Sequence, residues 1–180
     1  MNILLVITAF SSFVIYAAAI MRMFSRDHGV ALPMRLIQFC GSAFALVHLW
    51  GLWETPQHLG LRSIIALLVY LTGLAVFFAA CNALNGYRLT LAFSPDAPQS
   101  LVHRGIYNRV RHPFYLSYTL TWLAGVIAAT TIPVIMTSVI MIGFYVAAAR
   151  MEEQKFLASP LADQYRAYRR RAGLFWPLIQ

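Results

Sequence analysis

The stretch Leu101-Val-His-Arg-Gly-Ile-Tyr-Asn-Arg-Val-Arg-His-Pro-Phe-Tyr-Leu-Ser-Tyr118 is basic, polar and aromatic, and it separates two long apolar parts of the chain. Gly105 permits a tight turn with positive φ, and Pro113 suits the first position of a helix that continues through Tyr118. The free amides of a helix start favour an anion, and Arg111 and His112 lie directly beside them. The stretch therefore predicts a loop and a helix N-terminus that form a cradle for a carboxylate or phosphate. The alternative is a basic loop that only fixes topology and contacts anionic lipid head groups.

The composition excludes a soluble domain. The chain has 180 residues, of which 60% are hydrophobic and only 11% are charged, and its mean hydropathy is +0.66. Cys40 and Cys81 lie in apolar runs with no further Cys or His at ligand spacing, so they indicate neither a disulfide nor a metal site. The net charge of +8 does not indicate a nucleic-acid partner, because no soluble fold is present to carry a basic face.

Five apolar runs predict an all-α integral membrane fold with five transmembrane helices in a single domain, residues 1–180. The predicted spans are residues 3–21, 33–53, 63–84, 114–129 and 132–149. The connection at Thr130-Thr131 is so short that spans four and five must form an antiparallel helical hairpin. Residues 85–113 form the loop between spans three and four. Residues 150–180 are expected to form two C-terminal interfacial helices. Arg150 to Ala158 continues the fifth span out of the membrane, and Ser159 is the N-cap and Pro160 the first residue of the last helix.

The basic residues orient these spans. In a five-span topology, all but one of the 14 Lys and Arg residues fall on the same side of the membrane. That side is cytosolic by the positive-inside rule, which places the N-terminus outside and the C-terminus inside. Arg62 alone falls on the outer side. The residues on the cytosolic side are Arg22, Arg26, Arg35, Arg88, Arg104, Arg109, Arg111, Arg150, Lys155, Arg166, Arg169, Arg170 and Arg171.

Four short motifs occur in a fixed order in the C-terminal half, and they resemble one enzyme family. They are Gly105-x-Tyr107, Arg111-His112-Pro113-x-Tyr115, Glu152-Glu153 and Tyr165-x-x-Tyr168. This pattern resembles the isoprenylcysteine carboxyl methyltransferase family of integral membrane, S-adenosylmethionine-dependent enzymes, which are also similar to phospholipid methyltransferases. The N-terminal half matches only as apolar spans. Motifs of soluble enzymes, such as Gly-rich phosphate loops or a nucleophile elbow, are absent from the sequence.

The resemblance implies S-adenosylmethionine as cofactor and a set of residues that bind it. Those residues are Gln99, Ser100, Leu101, Val102, Tyr107, His112, Pro113, Phe114, Tyr115 and Glu153. His112 with the helix start would bind the cofactor's carboxylate, and Glu153 would bind its ammonium. No catalytic base is expected, because the sulfonium activates the methyl group and the protein mainly aligns the reactants and excludes water.

Arg150 is the candidate for a residue that orients the substrate. The family places an arginine just upstream of the cofactor-binding glutamate, but the matching position here is Ala149, and Arg150 follows one residue later. One residue rotates a helical side chain by about 100°. The alternative is that Arg150 snorkels to cytosolic head groups.

The methyl acceptor is expected to be a lipophilic molecule reached from the bilayer, with a carboxylate, hydroxyl, amine or thiol as the methylated group. Two other functions stay open, a membrane reductase with a nicotinamide cofactor and a non-enzymatic membrane adaptor. Neither a metal nor a nucleic acid is expected as a partner. The small size and Ala-rich spans favour a prokaryotic cell membrane as the location.

The topology can be tested by cysteine labelling. Labels near Glu54 and Thr131 should react from outside, and labels near Arg104 and Arg170 should react only from the cytosol, because basic loops stay inside. Labels at Arg104 and Arg170 that react from opposite sides would rule out one site built from the central loop and the C-terminal segment.

Overall fold

The computed structural model describes residues 2–23, 32–56, 60–84, 98 and 100–178. Residues 85–97 and Gln99 of the loop predicted at residues 85–113 lie outside the described residues, as do Arg26 and Arg88. In the described part the protein is helical, and its only β-type pairing is a single bridge between Val110 and Gly173. The prediction of an all-α integral membrane fold is confirmed. The elements are α1 Asn2–Met23, α2 Leu32–Glu54, α3 Leu61–Leu84, a 3-10 helix Gly105–Asn108, α4 Pro113–Ala128, α5 Ile132–Leu157 and α6 Ala162–Arg169.

Four of the described helices, α1, α2, α3 and α5, are long and apolar enough to cross a membrane. Helix α4 begins at Pro113 as predicted and has only 16 residues. Helix α5 continues without a break to Leu157, because no Gly or Pro interrupts it after the predicted span. The chain then turns at Ser159, whose hydroxyl accepts a hydrogen bond from the Leu161 amide at 3.1 Å and donates one to the Phe156 carbonyl at 2.8 Å. These bonds hold a turn, so α6 begins at Ala162 rather than at Pro160.

Small residues let the helices pack closely, as is common where lipid offers no hydrophobic drive for helix association. A Cβ atom at Gly73 of α3 would lie 3.1 Å from the Ser117 carbonyl oxygen of α4. Gly125 of α4 packs directly on the ring of His48. His48 is fully buried, and its Nε2 lies 2.7 Å from the hydroxyl of Tyr70 on α3. This pair is a polar link between α2 and α3 inside an apolar bundle.

Two arginines cap helix ends at opposite ends of the bundle. Arg104 donates to the carbonyls of Ala83 and Leu84, at 2.6 and 2.7 Å, and so satisfies the last turn of α3. The neighbouring Gly105 has φ of +56°. At the other end, Arg62 donates to the Ile127 carbonyl and, at 2.9 Å, to the Thr130 hydroxyl. Arg62, the one basic residue predicted on the outer side, therefore caps the C-terminus of α4.

The packing of Gly125 against His48 predicts a stability difference between two matched substitutions. A Cβ atom at Gly125 would lie 1.8 Å from His48 Cε1, whereas one at Gly143 of α5 would have nothing within 4 Å. Gly125→Ala should destabilise the protein by about 1–3 kcal/mol, because His48 must move. Gly143→Ala should be neutral or stabilising, since alanine favours helix. Thermal unfolding in detergent measures both, and equal transition temperatures would contradict the packing.

Candidate functional site

The C-terminal segment returns to the start of α4 and pairs with it through the backbone. The Arg111 amide donates to the Gly173 carbonyl at 2.8 Å, and the His112 amide donates to the Leu174 carbonyl at 3.2 Å. The Gly173 amide donates to the Arg109 carbonyl at 3.0 Å. The two amides that precede α4, those of Arg111 and His112, therefore donate hydrogen bonds within the protein. The anion cradle was predicted from the amides of the first turn of α4, which follow these two, and it stays a prediction.

Arg111 joins three parts of the chain. Its Nε lies 2.7 Å from Oε1 of Glu153 on α5, and both side chains are only 10% exposed. Its Nη1 donates to the Ala172 carbonyl and lies 3.4 Å from the Arg169 carbonyl oxygen. The guanidinium thus holds the end of α5 and the C-terminal segment against the start of α4.

His112 lies between two carboxylates. Its Nδ1 is 3.3 Å from Glu152 Oε2, and its Nε2 is 3.8 Å from Glu153 Oε1, beyond hydrogen-bond distance. The side chain is buried, and Nε2 has no hydrogen-bond partner among the described residues. Burial alone would lower the pKa of His112, but the two carboxylates outweigh it and raise that pKa above its usual value. The imidazole is therefore held towards its charged form.

Tyrosine hydroxyls complete the contacts of the two glutamates. Tyr115 donates to Glu152 Oε1 at 2.7 Å, and Tyr165 of α6 donates to Glu153 Oε1 at 2.9 Å. Burial and the nearby Glu153 carboxylate raise the pKa of Tyr165, so its hydroxyl stays a donor. Oε1 of Glu153 thus receives two hydrogen bonds, whereas Oε2 has, among the described residues, the Arg169 guanidinium at 3.9 Å. We call Arg111, His112, Glu152, Glu153 and Tyr165 the polar cluster.

An aromatic stack leads from the polar cluster into the bundle. The rings of His112 and Tyr115 are stacked at 5.7 Å, and those of Tyr115 and Tyr145 at 5.8 Å. Tyr115 and Tyr145 also line a cavity of about 330 Å³ that lies between α1, α2, α4 and α5. The polar cluster and an apolar cavity therefore meet at Tyr115.

The structure brings three of the predicted site residues, His112, Tyr115 and Glu153, into contact with one another or with a shared partner. Pro113 is buried as the first residue of α4. Four other predicted residues belong to hydrophobic clusters. Leu101 packs against Tyr165 and Tyr168. Val102, Tyr107 and Phe114 belong to a second cluster. Ser100 is exposed, and Gln99 lies outside the described residues.

Arg150 is not brought into the polar cluster. It is exposed on α5 and has no ion pair or hydrogen bond with a described residue, whereas the preceding Ala149 is fully buried. The rotation of one helical position separates the two side chains. A role of Arg150 in binding the acceptor stays a prediction.

The residues predicted to bind the cofactor did not include Arg111, Glu152 or Tyr165. All three lie within the motifs quoted above, and Arg111 and Glu152 each directly precede an assigned residue, so the sequence carried a signal for them. The pairing of residues 109–112 with residues 173–174 had no signal, because it joins segments about sixty residues apart. Among the described residues, no group of three or more His, Cys, Asp or Glu side chains is placed to hold a metal ion.

These features define an integral membrane protein with a buried charged site at the end of its helical bundle. The family model of the phospholipid methyltransferases matches residues 61–164, from the start of α3 into α6. The chain therefore belongs to the phospholipid methyltransferase family, integral membrane methyltransferases that include the isoprenylcysteine carboxyl methyltransferases. The resemblance found in the sequence is confirmed. No curated protein matches this chain.

The charge on His112 predicts a pH-dependent stability. Its folded-state pKa is raised, so its contribution to stability should be complete below the unfolded value of about 6.5 and lost as pH rises through the folded pKa. His112→Gln should therefore lower the unfolding temperature most at acid pH, with little difference from wild type at high pH.

The control for this experiment is His103→Gln, since His103 is an exposed histidine of the same loop. This variant should follow the wild-type curve at every pH. A constant or growing gap between His112→Gln and wild type as pH rises would contradict the raised pKa.

Proposed function

We propose that this protein transfers a methyl group from S-adenosylmethionine to a lipophilic acceptor that reaches the site from the bilayer. Membership of a methyltransferase family supports a reaction on a membrane-associated substrate. The observation that carries the proposal is the meeting of the polar cluster with the apolar cavity at Tyr115. Such an arrangement suits one charged, water-soluble ligand and one apolar ligand side by side.

The residues of the polar cluster fit the amino-acid end of S-adenosylmethionine. That end carries an ammonium and a carboxylate. In the part of the chain that the structure describes, the nearest ion-pair partner of Glu153 Oε2 is Arg169, at 3.9 Å. His112 Nε2 and the Tyr107 hydroxyl are both buried without a hydrogen-bond partner among the described residues. Buried polar atoms of this kind are rare unless a ligand or water satisfies them. We assign the ammonium to Glu153 and the carboxylate to His112, with the Tyr107 hydroxyl as a further donor.

When bound, S-adenosylmethionine supplies a methyl group that is already activated by the positive charge on sulfur. The protein's own residues then have two tasks, to align the ligands and to exclude water. Arg111 and Tyr165 fix Glu153 through its Oε1, so the carboxylate cannot rotate away from the ligand. The ring of Tyr118, which lines the cavity beside Tyr115, offers negative π density to a cation. The C-terminal segment covers the polar cluster.

We further propose that the polar cluster faces the cytosol and that the N-terminus lies outside. The segments that carry the cluster are rich in basic residues, among them Arg104, Arg109, Arg166 and Arg170. A cytosolic site has direct access to a charged cofactor that does not cross membranes unaided.

Substitution of Glu153 and His112 tests the cofactor. Glu153→Gln removes the charge that binds the ammonium and nearly keeps the shape, and a charged hydrogen bond contributes about 1.5–3 kcal/mol. The affinity for S-adenosylmethionine should therefore fall roughly ten- to hundred-fold, measured by calorimetry in detergent. His112→Ala should weaken the same ligand, and the double variant should lose less than the sum of the single losses.

Both variants should raise KM for S-adenosylmethionine more than KM for the acceptor. Glu54→Gln is the matched control, since Glu54 is exposed at the end of α2. Folded Glu153→Gln and His112→Ala proteins that bind S-adenosylmethionine as tightly as wild type would overturn the proposal. Binding of a nicotinamide cofactor instead would favour a reductase.

A further inference from the structure

Three exposed arginines lie where the C-terminal segment pairs with the start of α4. Arg109 precedes Val110, which forms a bridge with Gly173, and the Arg109 carbonyl accepts a hydrogen bond from the Gly173 amide at 3.0 Å. Arg170 and Arg171 come just before Gly173 on the facing segment. All three arginine side chains are exposed, and none of them has an ion pair or hydrogen bond with a described residue. We call Arg109, Arg170 and Arg171 the basic strip.

The acidic residues that the structure describes do not neutralise the basic strip. Glu152 and Glu153 belong to the polar cluster. Of the other two, Asp163 is paired with Arg166, and Glu54 lies at the end of α2. Like charges on neighbouring segments repel one another, so the strip opposes the pairing on which it lies. An anion bound across the two segments would remove this repulsion and stabilise the pairing.

The same pairing closes the C-terminal segment over the polar cluster. Arg111 donates to the Ala172 carbonyl through its side chain and to the Gly173 carbonyl through its amide. Its side chain is also the ion-pair partner of Glu153. Whatever stabilises the pairing at the basic strip therefore keeps the polar cluster covered.

The basic strip lies where the chain enters the membrane bundle. Pro113 begins α4 directly after the paired residues. Beyond the strip, Trp176 is 61% exposed and Leu178 is 47% exposed. An exposed tryptophan beside arginines is typical of the boundary between hydrocarbon and head groups. The tyrosines of α6 do not serve as such an anchor, because Tyr165 and Tyr168 are buried against the protein.

We infer that the basic strip, Trp176 and Leu178 bind anionic phospholipids of the surrounding leaflet, and that this binding holds the C-terminal segment closed over the polar cluster. Guanidinium groups bind phosphate oxygens through paired, charge-assisted hydrogen bonds. A lipid presents such a phosphate next to acyl chains that Trp176 and Leu178 can contact, whereas a soluble anion presents only the charge. The surface lies outside the proposed cofactor site, so the inference holds whether or not the protein transfers a methyl group.

Hydrogen exchange measures this closure without cofactor or turnover. The whole chain is placed in nanodiscs of phosphatidylcholine, whose head group has no net charge, and in nanodiscs of equal parts phosphatidylcholine and phosphatidylglycerol. The Arg111, His112 and Gly173 amides should exchange more slowly in the anionic discs, because they exchange only when the pairing opens. Each arginine at an anionic surface contributes a factor of about five, so the slowing should be roughly five- to hundred-fold. Amides in the middle of α3 should exchange equally in both discs.

Two matched double variants test the role of the strip. Arg109→Gln/Arg170→Gln removes one charge from each paired segment and should abolish most of the difference between the discs. Arg150→Gln/Arg166→Gln removes two exposed charges outside the strip and should keep the difference. Trp176→Ser should reduce the difference, since it removes the apolar contact with the lipid.

Four results would each contradict the inference. Equal exchange of the three amides in both discs would exclude an effect of anionic lipid on closure. An equal loss of the effect in the two double variants would exclude the basic strip as the site. Slowing by inorganic phosphate in neutral discs, to the same extent, would indicate a site for soluble anions. A Trp176→Ser protein with the full lipid effect would exclude the apolar anchor.

Discussion

The ion pair between Arg111 and Glu153 is the contact on which the site depends. It is nearly buried, and it connects the start of α4, the end of α5 and the carbonyls of the C-terminal segment. Loss of one partner from a buried pair typically costs about 3–5 kcal/mol, because the other charge is left uncompensated. If Arg111 were lost, the uncompensated Glu153 carboxylate would lie beside a second carboxylate, that of Glu152. The pair therefore both assembles the site and compensates the buried charge of Glu153 beside a second acidic residue.

Tyr115 lies at the boundary between the polar cluster and the apolar cavity. Its hydroxyl is bound to Glu152 in the polar cluster, while its ring lies between His112 and Tyr145 and forms a wall of the cavity. Tyrosine suits such a boundary because its ring is apolar and only its tip needs a partner. A residue with charge at this position would bring water into the cavity. A fully apolar one would leave Glu152 with one donor fewer.

The helices and part of the site were predictable from the sequence, because they depend on local patterns. Apolar runs and Pro113 gave the helices nearly to their ends, and the motifs around His112 and Glu153 pointed to residues that do lie together. The role of Arg62 as a helix cap and the pairing of Gly173 with Arg109 were not predictable. Both depend on where distant segments meet, and neither leaves a periodic signal. For the same reason, the sequence did not indicate that the amides of Arg111 and His112 donate hydrogen bonds to the C-terminal segment.

The length of α4 has a consequence for the bilayer around the protein. Its 16 residues extend over about 24 Å, whereas the hydrocarbon core is about 30 Å thick. Either the lipid thins locally beside this helix or one end of α4 lies below the level of the head groups. The guanidinium of Arg62 at one end and the residues 172–176 at the other shield those ends from hydrocarbon. A site at the end of so short a helix lies nearer the bilayer midplane than one at the end of a full-length span, so a membrane-embedded molecule moves less far out of the bilayer to reach it.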